Sequence, residues 1–338
     1  MWLRMVLELP SCDLVPAGFP IASYSFPDPL CLFTHSSIYT AGLLLPGVIS
    51  AFVLLGPTSA VPWVAGALFA ILTFTPLPLC TGRFSERFIQ FSCRRAAAYF
   101  PLSVVCEDAG AFLSDHGYVF GFCPHSALPV ALPAAFATNS QLLPKALRGR
   151  THGLASSVCF QVPIVRQLYW WLGVRPATRS VMQQLLAQRR VAVLVPGGVK
   201  EVLKMEHGIE VAYLSTRKGF VRIAVQCGAP IVPVWAFGQT RAYSWVRPGP
   251  PLVPSWLVAR ISRMFGAVPI YMFGAYGTSM PHRERIMVVI GRPIPVQQMD
   301  DPPEEVVSEL LRKFMDDLQV LYDKHKDQYG RGEELRIF

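Results

Sequence analysis

Between Asp28 and Arg83 the chain carries no Asp, Glu, Lys or Arg. An ordinary water-facing surface is not built that way, because about a quarter of the residues in a soluble domain are charged. Within the gap, residues 38–55 and 61–79 form two apolar stretches parted by Gly56-Pro57-Thr58-Ser59-Ala60. Each approaches the ~20 residues that cross a ~30 Å hydrocarbon core, which predicts a membrane hairpin with a Gly/Pro turn. Pro46 and Pro62 interrupt the runs, so a single long span and a re-entrant loop both stay open. A cleaved signal peptide fits poorly, since the apolar block begins late and has no basic flank before it.

Arg83, Arg87, Arg94 and Arg95 follow the second stretch, and that cationic flank places this end in the cytosol. The expected organisation is an N-terminal cytosolic segment (1–35), a transmembrane hairpin (36–82) and a cytosol-facing domain (83–338). Of the 338 residues 52% are hydrophobic and 16% charged, with a net charge of +9. The basic residues make no run, stripe, zinc finger or RNP-like motif, which sets nucleic acid aside and favours an anionic membrane surface. The eight cysteines are scattered without a C-x-x-C. That argues against a zinc site and a disulfide framework and suits a reducing compartment.

From Ser103 onward short apolar runs alternate with helical periodicity. The runs are residues 118–122, 191–195, 231–235 and 286–290, continuous enough for strands buried on both faces. Residues 179–190, 219–227 (closed by Gly228) and 304–326 read as helices. Strands alternating with helices predict an α/β domain with a mostly parallel sheet and flanking helices. Residues 246–255 read as a Pro-rich loop, leading into an apolar stretch, 256–271, suited to a membrane surface.

In α/β sheets functional groups gather beyond the carboxyl ends of strands. The first run ends in Pro124-His125-Ser126, where Ser126 is able to cap a following helix whose positive end would hold the imidazole neutral. On position alone His125 is a candidate general base or a structural histidine. His116, His152 and His207 sit in loop-like glycine contexts. The second run ends in Pro196-Gly197-Gly198-Val199-Lys200-Glu201. The glycines suit an ordinary turn or a close approach to a ligand. Glu201 is a candidate to bind a substrate hydroxyl, to orient a partner, or to occupy a first helical turn. Arg217 and Lys218 stand beside Gly219 and Phe220 at a helix start, where a bound anion or simple solvation would account for two cations. No G-x-S-x-G, P-loop, G-x-G-x-x-G or H-E-x-x-H is present, which sets aside those enzyme classes.

Taken in order, these blocks resemble the type-2 diacylglycerol acyltransferase family, with its monoacylglycerol and wax-alcohol members. Tyr99-Phe100-Pro101 is similar to its Y-F-P block and residues 118–126 to its strand and H-P-H-G block. Residues 196–201 are similar to its P-G-G-x-x-E block. Arg217, Gly219, Phe220, Val232-Pro233-Val234 and Phe237-Gly238 are similar to its long R-x-G-F…V-P-V-x-x-F-G signature, and residues 291–294 to its G-x-P-I end. One departure stands out: Cys123 replaces the first histidine and Ser126 the glycine, as in the E-P-H-S of plant members. Unlike the H-x-x-x-x-D of glycerol-phosphate acyltransferases, the residue five after His125 is Val130.

The resemblance implies a glycerolipid-acyltransferase-like domain that esterifies diacylglycerol to triacylglycerol from acyl-CoA, without a metal or other cofactor. His125 is then the catalytic base, Glu201 its partner, and Cys123 dispensable, with a Cys123 nucleophile a minor alternative. Pro124, Ser126, Gly197, Gly198, Arg217, Lys218, Gly219, Phe220 and Arg241 are the implied substrate-binding residues, the cations for CoA phosphates. Backbone N–H groups at the helix start after His125 are expected to bind the oxyanion. Monoacylglycerol or fatty alcohol is the alternative acceptor, and a non-catalytic lipid-binding or droplet protein the alternative class. The resemblance further implies the endoplasmic reticulum membrane and lipid droplets, and leaves self-association into a homo-oligomer open.

Overall fold

The computed structural model describes residues 44–80, 82–138, 140–249, 253–265, 270–329 and 333–338. The segment 1–35 and the first residues of the apolar stretch 38–55 lie outside the described residues. Two helices open the described chain, α1 (Leu44–Leu55) and α2 (Ala60–Phe74). Pro62 falls in the first turn of α2, where a missing N–H costs no hydrogen bond. Ser59 caps α2 by accepting from the Val61 N–H, and Phe52 meets Trp63 edge-on across the turn. The helices have 12 and 15 residues, about 18 and 22 Å at a rise of about 1.5 Å. Among the described residues no helix is long and apolar enough to cross a membrane. Of the expected hairpin, residues 38–43 lie outside the described residues, and the second stretch forms the 15-residue α2. The outward side chains of both helices, Val53, Leu54, Trp63 and Phe74 among them, are exposed. The C-terminal end of α2 is held by the Arg166 and Gln167 side chains, which donate to the Leu72 carbonyl.

The elements that follow are α3 (Arg83–Tyr99), β1 (Ser103–Cys106), β2 (Tyr118–Cys123), α4 (Ala131–Phe136), β3 (Thr151–Ala155), α5 (Val165–Trp171), β4 (Arg175–Pro176), α6 (Arg179–Ala187) and β5 (Val191–Leu194). Next come α7 (Gly198–Val202), β6 (Ile209–Ala212), α8 (Lys218–Cys227), β7 (Ile231–Phe237), β8 (Ser244–Val246), α9 (Ser255–Phe265), β9 (Tyr271–Phe273), β10 (Met287–Ile290), α10 (Glu304–Tyr329) and β11 (Glu334–Ile337). Seven strands form one sheet in the order β1-β10-β7-β2-β5-β3-β4. Every pairing in it is parallel except β10 against β7. The expected α/β domain with a mostly parallel sheet is what the chain forms.

Strand β2 lies at the centre and is buried throughout. Alternation splits its side chains. Tyr118, Phe120 and Phe122 pack with Phe136 of α4 in one cluster, while Val119 and Cys123 join Phe314 of α10 and Phe220 of α8 in the other. Gly121 is required by this packing, because a Cβ there would stand 2.4 Å from the Phe314 ring. One sequence expectation is corrected here. His152 lies on β3 and not in a loop, its Nδ1 bonded to the Gly173 carbonyl. The 256–271 stretch is divided between α9 and β9. A second, two-stranded sheet joins β6 to the distant β11, two short strands with no strong apolar run to announce them.

Candidate active site

Because β2 and β5 are parallel neighbours, with Gly121 opposite Leu194, their carboxyl ends bring the two sequence blocks together. Glu201 bridges them. Its side chain is fully buried, Oε1 accepts from the His125 backbone N–H, and Oε2 accepts from the Tyr213 backbone N–H at 3.1 Å. Gly197 leaves the room for this carboxylate, since a Cβ at that position would fall 1.9 Å from Oε2. Arg217 closes the loop from the other side by donating to the Gly197 carbonyl. Burial pushes the Glu201 carboxyl up to about 7, against the pull of the two N–H donors and of Arg217. Glu201 thus touches the backbone of His125 and not its ring. It is fully buried and holds the loop that carries His125.

The His125 ring is oriented by one bond, Nδ1 to the Ser126 carbonyl at 2.9 Å. A carbonyl only accepts, so Nδ1 carries the proton and Nε2 presents its lone pair. Burial holds the imidazole below its ordinary pKa, which keeps the ring neutral at pH 7. Desolvation, and not a helix terminus, is the cause of that lowering. Helix α4 begins only at Ala131, with Val130 at its N-cap, and Ser126 caps nothing. At that helix start the Ala131 N–H is already engaged, donating to Gln239 Oε1 at 3.1 Å.

Gln239 is a residue the sequence reading missed. It is buried, and its Nε2 donates to the Pro124 carbonyl while its Oε1 takes Ala131. The loop from Pro124 to Ala131 is thereby clamped from the end of β7. The signal was faint: one polar residue directly after the Phe237-Gly238 strand end. Tyr213 was missed as well, and only its backbone matters here.

The other expected site residues divide. Gly198 adopts φ 55° at the start of α7. Lys218 is bound to Glu304 at 2.6 Å, and Arg222 shares the same carboxylate. Arg241 is held by Glu284, Glu333 and the Tyr329 hydroxyl. Neither cation stands free for a phosphate. Phe220 is a core residue, edge-on to Phe314 at 5.5 Å, and Gly219 is exposed with open space about its Cα. Cys123 is fully buried among apolar side chains. Burial, and next the Glu201 charge, raise its thiol pKa well above the ordinary value, so it is a poor nucleophile. Among the described residues no cluster of His, Cys, Asp or Glu is arranged to hold a metal.

The chain is an α/β protein with a histidine at the shared carboxyl edge of two parallel strands, anchored through its backbone by a buried carboxyl. The family model described as diacylglycerol acyltransferase matches residues 60–337, and the chain belongs to that family. It is 30% identical over 316 residues to acyl-CoA wax alcohol acyltransferase 1 of Homo sapiens, covering 82% of this chain and 92% of that one. It is 31% identical to 2-acylglycerol O-acyltransferase 1 of Mus musculus, over 71% and 74% of the two chains. With diacylglycerol O-acyltransferase 2 of Homo sapiens it shares 27% identity over 79% and 72%. Among solved structures, the 1-acyl-sn-glycerophosphate acyltransferase PlsC of Thermotoga maritima superposes with a TM-score of 0.42 at 13% identity, covering 87% of this chain and 97% of that one.

Proposed function

We propose that this enzyme, an acyltransferase by family, moves a fatty acyl group from acyl-CoA to the free hydroxyl of diacylglycerol, with His125 as the base. The observation that carries the proposal is the single tautomer of His125. With Nδ1–H committed to the Ser126 carbonyl, Nε2 is the atom that takes the hydroxyl proton. The alkoxide oxygen attacks the thioester carbonyl, the C–S bond breaks, and the departing CoA thiolate recovers the proton from Nε2. General-base assistance of this kind contributes about 10²–10⁴-fold. A thiolate is an adequate leaving group, so the scheme needs no covalent enzyme intermediate.

The exposed apolar faces of α1 and α2 support seating the domain on or partly within a membrane, where diacylglycerol resides. Helix α9 adds Trp256 and Met264, both exposed, on the stretch expected to meet lipid. Helix α2, with 15 residues, is shorter than a full span, which favours a re-entrant insertion. The endoplasmic reticulum and lipid droplet surfaces are the proposed residences. A second reading, acylation of monoacylglycerol or of fatty alcohol, is favoured by the names of the two relatives at 30% and 31% identity. Purified full-length protein given labelled acyl-CoA with each of the three acceptors decides. Preferential triacylglycerol formation supports the first reading, and wax ester or diacylglycerol as the main product supports the second.

A further inference from the structure

Beside His125 lies a cavity of about 240 Å³. Its wall takes Pro124 and Ser126 from the histidine loop, Thr240, Arg241 and Ser244 from the segment after β7, and Glu333 from just before β11. The charge on this wall does not suit CoA phosphates. Arg241 is already saturated by Glu284, Glu333 and Tyr329, and Glu206, also on the wall, is balanced by Arg336. Behind Thr240 stands another carboxyl, buried Glu210, which accepts the Thr240 hydroxyl at 2.8 Å. A polyanion brought here would meet carboxylates and no free cation. The rest of the wall is apolar, Met205, Ile209, Val211 and Trp245 among it, so a bare acyl tail would match that part and leave the polar part without partners. A small neutral group rich in hydroxyl and ester oxygens meets neither objection.

Ser126 is the residue of this wall that the fold leaves unexplained. Its φ is 56°, a left-handed conformation that glycine adopts freely and a Cβ resists. Its side chain is 2% exposed, and Oγ has no hydrogen-bond partner among the described residues. A buried hydroxyl without a partner is destabilising, and so is the backbone that carries it. Both costs fall on the residue next to His125, in the wall of this cavity.

We infer that this cavity takes the glycerol backbone of the acyl acceptor and that Ser126 Oγ hydrogen-bonds to it. Ser126 is then a specificity-determining residue that favours an acylglycerol over a plain fatty alcohol. The inference rests on the reading of His125 as base, because the glycerol hydroxyl must reach Nε2 from this side.

Ser126→Gly is the informative variant. It deletes the hydroxyl while easing the left-handed backbone, so the fold is kept, and thermal unfolding at or above the wild-type temperature verifies it. Full-length wild type, Ser126→Gly and His125→Ala are assayed with oleoyl-CoA against dioleoylglycerol, 2-oleoylglycerol and hexadecanol. Losing one neutral hydrogen bond should raise the KM for the glycerolipid acceptor about fivefold. The KM for oleoyl-CoA and for hexadecanol should stay within about twofold. An unchanged glycerolipid KM, an equal rise for hexadecanol, or a rise confined to oleoyl-CoA overturns the inference. So does a lower kcat at unchanged acceptor KM, which would place the hydroxyl on the transition state instead. If wild type acylates hexadecanol alone, the glycerol subsite falls while the base reading stands. If His125→Ala keeps the wild-type rate, the base reading is the one that falls.

Discussion

Replacing Glu201 by Gln isolates the positioning role from the stability of the fold. The carboxylate accepts two backbone N–H groups, those of His125 and Tyr213. A Gln side chain accepts one of them and turns an NH₂ toward the other. That leaves two buried donors unpaired, at about 1–3 kcal/mol each. Against this, Gln carries no charge to desolvate. A carboxyl pushed up from 4.5 to about 7 corresponds to about 3 kcal/mol of relief once ionisation is removed. The two effects nearly cancel, so unfolding free energy should fall by no more than about 3 kcal/mol. Activity has no such compensation. The bond that fixes the His125 backbone is disturbed, and a displacement of about 1 Å at a catalytic group costs about 10²-fold. Chemical denaturation and initial-rate measurements on the same preparation therefore diverge: near-native stability with kcat down about 10²-fold. A Glu201→Gln enzyme that turns over at the wild-type rate would refute the anchoring argument.

Three further outcomes follow from the geometry. Cys123→Ala should keep kcat within about twofold and lower stability by about 1 kcal/mol, the worth of a small buried hydrophobe; a loss of turnover would restore the thiol as a reactant. Gly121→Ala, driving a Cβ to 2.4 Å from Phe314, should cost about 1–3 kcal/mol in thermal unfolding, and an unchanged melting temperature would show that α10 packs more loosely. The His125 pKa is lowered by burial, so the base form survives as pH falls through 6.5 and disappears only below it. The acid limb of kcat/KM should accordingly lie under 6.5, and a limb above that value would contradict a buried neutral base.

What the sequence disclosed and what it concealed divide along a physical line. Continuous apolar runs identified β2, β5, β7 and β10, and the glycine at 228 marked the end of α8, because burial and left-handed φ are written in local composition. His125 and Glu201 were found as strand-end residues, and their convergence follows once β2 and β5 are known to be adjacent. Contacts spanning the chain were not legible. Lys218 with Glu304, Arg241 with Glu333, Gln239 with the Pro124 carbonyl and β6 with β11 depend on the tertiary arrangement, and no local pattern encodes them. The second apolar stretch before Arg83 exceeds the helix it forms, α2, because hydropathy reports what a segment avoids and not where its helix stops.

The central claim is that Nε2 of His125 takes the acceptor proton. It is tested most directly by acyl transfer with His125→Ala at matched expression and matched thermal stability. The account predicts a fall of about 10²–10⁴-fold in kcat for whichever acceptor the wild type prefers. Transfer at close to the wild-type rate would contradict it and move the chemistry away from the end of β2.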